Sequence, residues 1–425
     1  MVTDAASGRR AVDRCDALGS GVFSDTEAGL YRPFLGPAHR AATETIAGWM
    51  EQAGMAAHVD AAANLVGRYE ATTPGAPALL IGSHIDSVTD AGFYDGPLGV
   101  MLGLECVAAL NATGRRLPFA VEVIAFGDEE GSRFPASMLC SRAVAGTLDP
   151  AATSTTGRDG VTLAEALSAR GLDAARMTEA ARPAGSILAY LEAHIEQGPV
   201  LEAEGLALGV VTGIAAQKRF AVTVAGKAGH AGTNSMTLRR DALAAAAEMI
   251  LAIESIARSG GDGVVATVGR MTVAPGAANV VPGRVEFTLD VRAGEDAVRD
   301  ATAADCLAAL RAIADDRGVA VVIAESQALA ASPCDPDLTD RMADAVAAVG
   351  QPVRRLVSGA GHDAMVMAAL APTTMLFIRC EGGISHNPDE NVMAGDVELA
   401  LRAMLAFIEG LAADWAGDEI VNSHG

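Results

Sequence analysis

The chain's strongest constraint on its own fold is an alternation of short apolar runs with helical segments, each run ending in a polar, glycine-containing loop. Ala78–Ile81 and Phe119–Phe126 (FAVEVIAF) are two such runs. Between them Pro97–Leu110 reads as a helix with proline in its first turn. Upstream, the spacing of Ile46, Trp49 and Met50 predicts a helix from about Arg40 to Gly54, and Ala57–Tyr69 reads as strand. Strands alternating with helices indicate an α/β architecture, a mostly parallel sheet flanked by helices. In such sheets functional residues gather in loops beyond the strand C-termini.

The pattern changes after Gly213. Arg219–Ala225 alternates as a strand and Arg239–Arg258 is helical; Val264–Val273 and Arg284–Val291 read as strands, Asp296–Asp316 as a helix and Val319–Ala324 as a strand. This β-α-β-β-α-β order describes a ferredoxin-like unit. Alternation then resumes with Leu338–Val349, Thr374–Ile378 and a last helix from Asp396 to about Trp415. The expected organisation is one discontinuous domain, residues 1–212 and 333–425, carrying an inserted domain over 213–332. A chain of 425 residues suits two domains.

Charge narrows the function. The formal net charge of −22 offers no basic surface to a phosphate backbone, which excludes nucleic acid as a partner. The start, MVTDAASGRRAVDRC, lacks the apolar core of a signal peptide, and no window reaches the apolar length of a membrane span. Six cysteines lie far apart without a CxxC pair, as in a protein of a reducing compartment. A cytoplasmic protein is expected.

The run Ala78–Ile81 opens straight into GSHIDSVTDAGFYDG, with His84, Asp86 and Asp95. Such side chains are costly to bury without partners. Five positions share a glycine-rich or loop-like context: His84 (GSHID), Asp95 (FYDG), Glu130 (DEEGSRF), His194 (EAHIEQG) and His386 (GISHNP). Histidine with carboxylate suits zinc, manganese or a similar ion. Five ligands exceed one tetrahedral site, whereas two ions sharing a bridging carboxylate would use them all. Glu129, beside Glu130, could then take a proton from water. Each residue also has a plainer reading. A strand-end histidine is commonly structural, a Glu-Glu pair is commonly solvated, and Glu192, Glu196 and Gln197 could form a polar helix face. His230 and Asn279 could be turn residues, and Asp86 a loop cap. His39, His58 and His424 have no comparable context.

Taken together, GSHIDSV, YDGPLGV, GDEEGSRF, EAHIEQGPVLE, GHAGTNSM, ANVVPG, SGAGHDA and GISHNP resemble the dinuclear-metal amidohydrolases of the aminoacylase and carboxypeptidase superfamily. The closer likeness is to its branch of allantoate amidohydrolases and N-carbamoyl-L-amino-acid amidohydrolases, the hydantoinase/carbamoylase group. Peptidases of the superfamily usually carry an acidic residue where this chain has His194, so EAHIEQG points to the ureido-hydrolysing branch.

The resemblance implies a catalytic, metal-binding domain and a ferredoxin-like lid/dimerisation domain in a homodimer. It implies that His84, Asp95 and His194 hold one metal, and Asp95, Glu130 and His386 a second, the ions being zinc or manganese, with cobalt or nickel suited as well. Glu129 matches the general base, Asp86 the carboxylate that orients His84, and His230 the donor to the oxyanion. Arg292 matches the arginine that binds the substrate carboxylate. Gln197, Asn279, Gly359 and His362 match residues around the substrate. The implied substrate is a small ureido carboxylate. Allantoate leads, which would place the chain in purine catabolism. N-carbamoyl amino acids, or carbamoyl β-amino acids as for a ureidopropionase, come second.

Overall fold

A computed structural model describes residues 6–422, with side chains to residue 415, so His424 lies outside the described residues. The chain divides into two compact units. The first comprises the chain up to Thr212, Cys334–Leu356 and the chain from His362 onward; the second comprises Gly213–Pro333 and Val357–Gly361. The short segment Val357–Gly361 therefore packs with the inserted unit, which the expected boundaries had not separated.

The first unit is built on a mixed sheet. Its strands β1 (Ala56–Val59), β2 (Leu65–Tyr69), β3 (Ala78–His84), β4 (Ala120–Phe126) and β5 (Ile187–Ile195) lie in the order β1-β2-β4-β3-β5, followed by Thr373–Ile378 and Leu208–Ile214. The central strands β4, β3, β5 and Thr373–Ile378 run parallel. The flanking strands are antiparallel. All residues of β3 and β4 are buried, as in strands covered on both faces.

The expected single strand Ala57–Tyr69 is instead a hairpin, β1 against β2. Asp60 makes the turn: its carboxylate accepts the Ala62 and Asn64 amides, both at 2.9 Å, and Ala63 takes a positive φ of 66°. Side-chain turn formation of this kind needs neither glycine nor proline.

Helices α1 (Gly8–Ala17), α2 (Pro37–Gln52) and α3 (Pro97–Ala112) cover the sheet with the helix Ala394–Asn422. Helix α3 is buried on every side from Pro97 to Val107, as befits a helix apolar all round. Its one buried charge, Glu105, is met by Arg10 at 2.6 Å and Arg14 at 2.8 Å from α1. Two glycines let α3 begin against the strand ends. Gly96 has φ 86°, and a Cβ there would fall 2.5 Å from the His84 ring; a Cβ at Gly99 would fall 2.1 Å from the Ala193 carbonyl.

His39, on α2, is fully buried with Phe34 edge-on at 5.4 Å, and neither ring nitrogen has a hydrogen-bond partner among the described residues. Burial, reinforced by Arg170, Arg32 and Arg133, lowers its pKa to about 3. Between the unfolded value of 6.5 and about 3, the unfolded chain binds a proton that the folded chain refuses. Stability is therefore complete above pH 6.5 and falls by about 1.4 kcal/mol per unit as pH drops through that window. His39→Leu should remove this slope. Urea-unfolding free energies at pH 7 and pH 5 should then diverge between the two proteins by roughly 2 kcal/mol; parallel pH dependences would refute the assignment.

The second unit is an antiparallel sheet in the order Met271–Ala274, Arg284–Ala293, Ala216–Ala225, Ala320–Leu329. Alternate residues Phe220, Val222, Val224, Val285, Phe287, Leu289 and Val291 form one core with the helices Ala242–Ser259 and Asp296–Asp316. The expected strand Val264–Val273 is two strands, broken at Val268–Arg270. The last strand runs on to Leu329 through an irregularity between Glu325 and Gln327. All six cysteines are buried free thiols, and none of the described helices is long and apolar enough to cross a membrane.

Candidate metal centre

In the first unit, the ends of four neighbouring parallel strands deliver the charged residues. His84 closes β3, Glu129 and Glu130 follow β4, His194 stands one residue from the end of β5, and His386 follows Thr373–Ile378. Asp95 comes from the loop before α3 and lies among them.

The tautomers of two histidines can be read from their partners. His84 Nδ1 lies 3.1 Å from the Asp86 carbonyl oxygen, and His194 Nδ1 lies 2.9 Å from that of Ile195. A carbonyl only accepts, so each Nδ1 carries a hydrogen, and in the neutral ring each Nε2 presents a lone pair. Both lone pairs face Asp95 Oδ1, at 3.5 Å from His84 and 3.2 Å from His194. Asp95 Oδ1 and His194 Nε2 are buried and make no hydrogen bond among the described residues. Lone pairs converging on a carboxylate oxygen repel unless positive charge lies among them. The donor set therefore fits a cation.

A second group meets the other face of Asp95. His386 Nε2 lies 3.2 Å from Asp95 Oδ2 and 3.4 Å from Glu130 Oε1. In each group, His84–Asp95–His194 and Asp95–Glu130–His386, the candidate ligand atoms all lie within 4.8 Å of one another. Asp95 is common to both. The electrostatics favour added positive charge. Burial opposes ionisation of His84, but the carboxylates of Asp86 and Asp95 outweigh it and hold its pKa well above the usual value. His386, hydrogen-bonded to Asp95, is pushed up to about 9, and Glu130, desolvated and close to Asp95, to about 7.

Glu129 shares a third such group with His84 and Glu130. Burial holds its pKa well above the carboxylate range, with His84 pulling the other way. Asp86 does more than face His84. Its Oδ1 accepts the Glu129 amide at 3.0 Å and its Oδ2 the Glu130 amide at 3.2 Å, so one buried carboxylate sets the backbone of both glutamates.

In EAHIEQG, Glu192–Ile195 closes β5 and Glu196–Gly198 is the bend that follows, so the segment is not a helix. Glu192, two residues from His194, is buried and accepts Tyr190 Oη at 3.1 Å and the Ala364 amide at 2.9 Å. Glu196 accepts the Val200 and Leu201 amides and starts the short helix that follows. His362 packs edge-on against His194 at 4.5 Å, and burial holds its pKa well below the usual value, so it is a neutral neighbour of the centre. Gln197, with a φ of 56°, is no helix-surface amide: its Nε2 donates to Asp95 Oδ2 at 2.8 Å.

The remaining candidates lie in the second unit, in two places. His230 pairs with Val280 in a short ladder that starts one residue after Asn279, and Ala231 donates to the Asn279 carbonyl at 2.9 Å. Arg292 and Gly359 instead line a cavity of about 560 Å³, with Arg219, Asp290 and Ser326. Asp290 grips the Arg292 guanidinium at 3.0 and 3.2 Å, while Arg292 Nη1 donates to the Gly359 carbonyl at 2.5 Å. Three residues close to these ligands were not assigned to the centre from the sequence: Glu192, read there as part of a polar helix face, Ser385 and Glu390. Glu192 could have been found from its two-residue spacing to His194, and Ser385 from its place beside His386. Glu390 carries no local signal beyond lying four residues past His386.

Over residues 80–410 the chain matches the pattern of Peptidase family M20/M25/M40. It is 42% identical to a probable allantoate deiminase of Oryza sativa subsp. japonica, across 93% of this chain and 87% of that one. It is 43% identical to an N-carbamoyl-L-amino acid amidohydrolase of Geobacillus stearothermophilus, across 90% of this chain and 93% of that one. Among solved structures it is similar to a hydantoinase/carbamoylase family amidase from Burkholderia multivorans, with a TM-score of 0.89 and 34% identity, covering 95% of this chain and 98% of that one.

Proposed function

The chain belongs to Peptidase family M20/M25/M40, and on that premise we propose that it hydrolyses a linear ureido C–N bond, converting allantoate to ureidoglycine, ammonia and carbon dioxide. The observation that carries this reading is the meeting of His84 and His194 on one oxygen of Asp95. A histidine at position 194 is what sets the ureido-hydrolysing relatives apart from peptidases in the resemblance described above. The two curated relatives, at 42% and 43% identity, are named for allantoate and for N-carbamoyl amino acids.

We assign His84, Asp95 and His194 to one divalent ion and Asp95, Glu130 and His386 to another, zinc or manganese first, cobalt or nickel being suited by the same donors. Such ions, when bound, supply an acidified water and a positive charge beside the ureido oxygen. Glu129 takes a proton from water on its carboxylate and returns it to the departing nitrogen. The water oxygen adds to the ureido carbon, the C–N bond to the protonated nitrogen breaks, ammonia leaves, and the carbamate left behind loses carbon dioxide. Asp86 holds Glu129 and Glu130 in place through their amides. His230 donates to the oxyanion, and Arg292, pre-oriented by Asp290, forks the substrate carboxylate. Asn279, Gln197, Gly359 and His362 complete the surroundings of the substrate, and the chain works as a homodimer through its second unit.

The second reading, an N-carbamoyl-L-amino-acid amidohydrolase or a ureidopropionase, is favoured by the Geobacillus relative. One assay separates them. The protein is stripped with chelator, reloaded with manganese or zinc, and ammonia is followed from allantoate and from N-carbamoyl-L-methionine. Metal-dependent release from allantoate alone is the expected result. Release from the carbamoyl amino acid alone would replace allantoate, and release from neither, nor from a carbamoyl β-amino acid, would overturn the ureido reading.

A further inference from the structure

Asp95 is held by a carboxylate far from it in sequence. Glu390 is only 5% exposed. Its Oε1 accepts two consecutive amides, those of Tyr94 at 2.9 Å and Asp95 at 3.1 Å. Its Oε2 lies 3.2 Å from Ser385 Oγ, which in turn reaches Asp95 Oδ2 at 2.7 Å. Ser385 directly precedes His386. One side chain thus joins the loop that carries Asp95 to the loop that carries His386. The loop makes room for it: a Cβ at Gly92 would fall 2.3 Å from both Cβ and Cδ of Glu390.

We propose that Glu390 is a positioning residue that sets Asp95 and the His386 loop for joint ligation. Two amides pointing at one oxygen fix the peptides on either side of Tyr94, leaving the Asp95 side chain two torsions. The Ser385 hydroxyl restrains the outer oxygen of that side chain. A purely structural Glu390 would affect melting and leave ion binding alone. The inference rests on reading the centre as a metal site, and its test must separate the two.

The full chain, stripped with chelator, is titrated with cobalt(II), followed by its visible absorption, and with zinc, followed by calorimetry. Wild type is compared with Glu390→Ala, Glu390→Gln and Gly92→Ala. Losing an outer-shell carboxylate should weaken the more loosely held ion by about 10–100-fold and lower kcat more than KM, whereas Glu390→Gln, whose amide oxygen still accepts both amides, should stay within about threefold of wild type. Gly92→Ala, which displaces Glu390 without removing it, should match Glu390→Ala and carries the test should Glu390→Ala fail to fold. Wild-type ion affinity in Glu390→Ala or Gly92→Ala would overturn the proposal, as would a glutamine variant as weak as the alanine variant. A wild-type protein that takes up neither ion would overturn the metal reading along with it.

Discussion

Replacing Glu129 by glutamine is expected to lower ureido turnover by roughly 10²–10⁴-fold, the range for loss of a positioned general base, without changing the metal content of the protein. Glutamine has the same shape and keeps the backbone amide that Asp86 Oδ1 accepts at 3.0 Å, so the neighbouring Glu130 stays where it is. What is lost is the capacity to carry a proton. Burial already disfavours negative charge on Glu129, as do Glu130, Asp363 and Asp86. A neutral amide is therefore tolerated there, and folding should not suffer. Metal analysis by mass spectrometry and steady-state kinetics on one preparation check both halves. Full turnover in a metal-replete Glu129→Gln protein would remove Glu129 from the chemistry and leave the ion site intact.

The second large effect is at Asp95. Asp95→Asn should abolish binding of both ions, and turnover with it, because both ligand groups share this carboxylate. The amide lacks the charge that both groups share, and its nitrogen, which cannot ligate an ion, faces His84 and His194 or His386 whichever way it flips. Without metal the substitution has a cost of its own, since burial opposes the Asp95 charge but His194, His386 and His84 outweigh it and hold its pKa well below the usual range. The diagnostic measurement is the melting temperature with and without metal. A ligand that binds only the folded state at 1,000 times its Kd adds about 4.1 kcal/mol, and that rise should be present in wild type and absent in Asp95→Asn. A variant that still gains stability from manganese or zinc would show that Asp95 is not the shared ligand.

The layered α/β class and the inserted ferredoxin-like pattern were legible because apolar period and length distinguish strands from helices in both units. Failures came where a side chain did the work of punctuation. Asp60 folds DAAAN into a turn without glycine or proline, so β1 and β2 read as one strand. EAHIEQG was ambiguous for a different reason: Glu192, His194 and Glu196 satisfy a two-residue period and nearly satisfy a helical turn. The segments around His84, Asp95, Glu130, His194 and His386 stood out because charged groups directly follow apolar runs or sit among glycines. Asp86 was legible as a neighbour of His84, but its hold on the Glu129 and Glu130 amides spans more than 40 residues. The hold of Glu390 on Asp95 spans 295 residues. Contacts of that range leave no periodic trace.

The residues that meet around Asp95 also bear on biosynthesis. His84 and His386 are far apart in sequence, and the strands that bring them together, β3, β5 and Thr373–Ile378, are adjacent in space alone. A nascent chain cannot assemble this cluster until His386 has left the ribosome, 302 positions after His84. Pairings of such separation form late, after loop-closure entropy has been met. Ion uptake at the proposed centre would then signal that the sheet is complete, in contrast to a small zinc module, where the ion initiates folding.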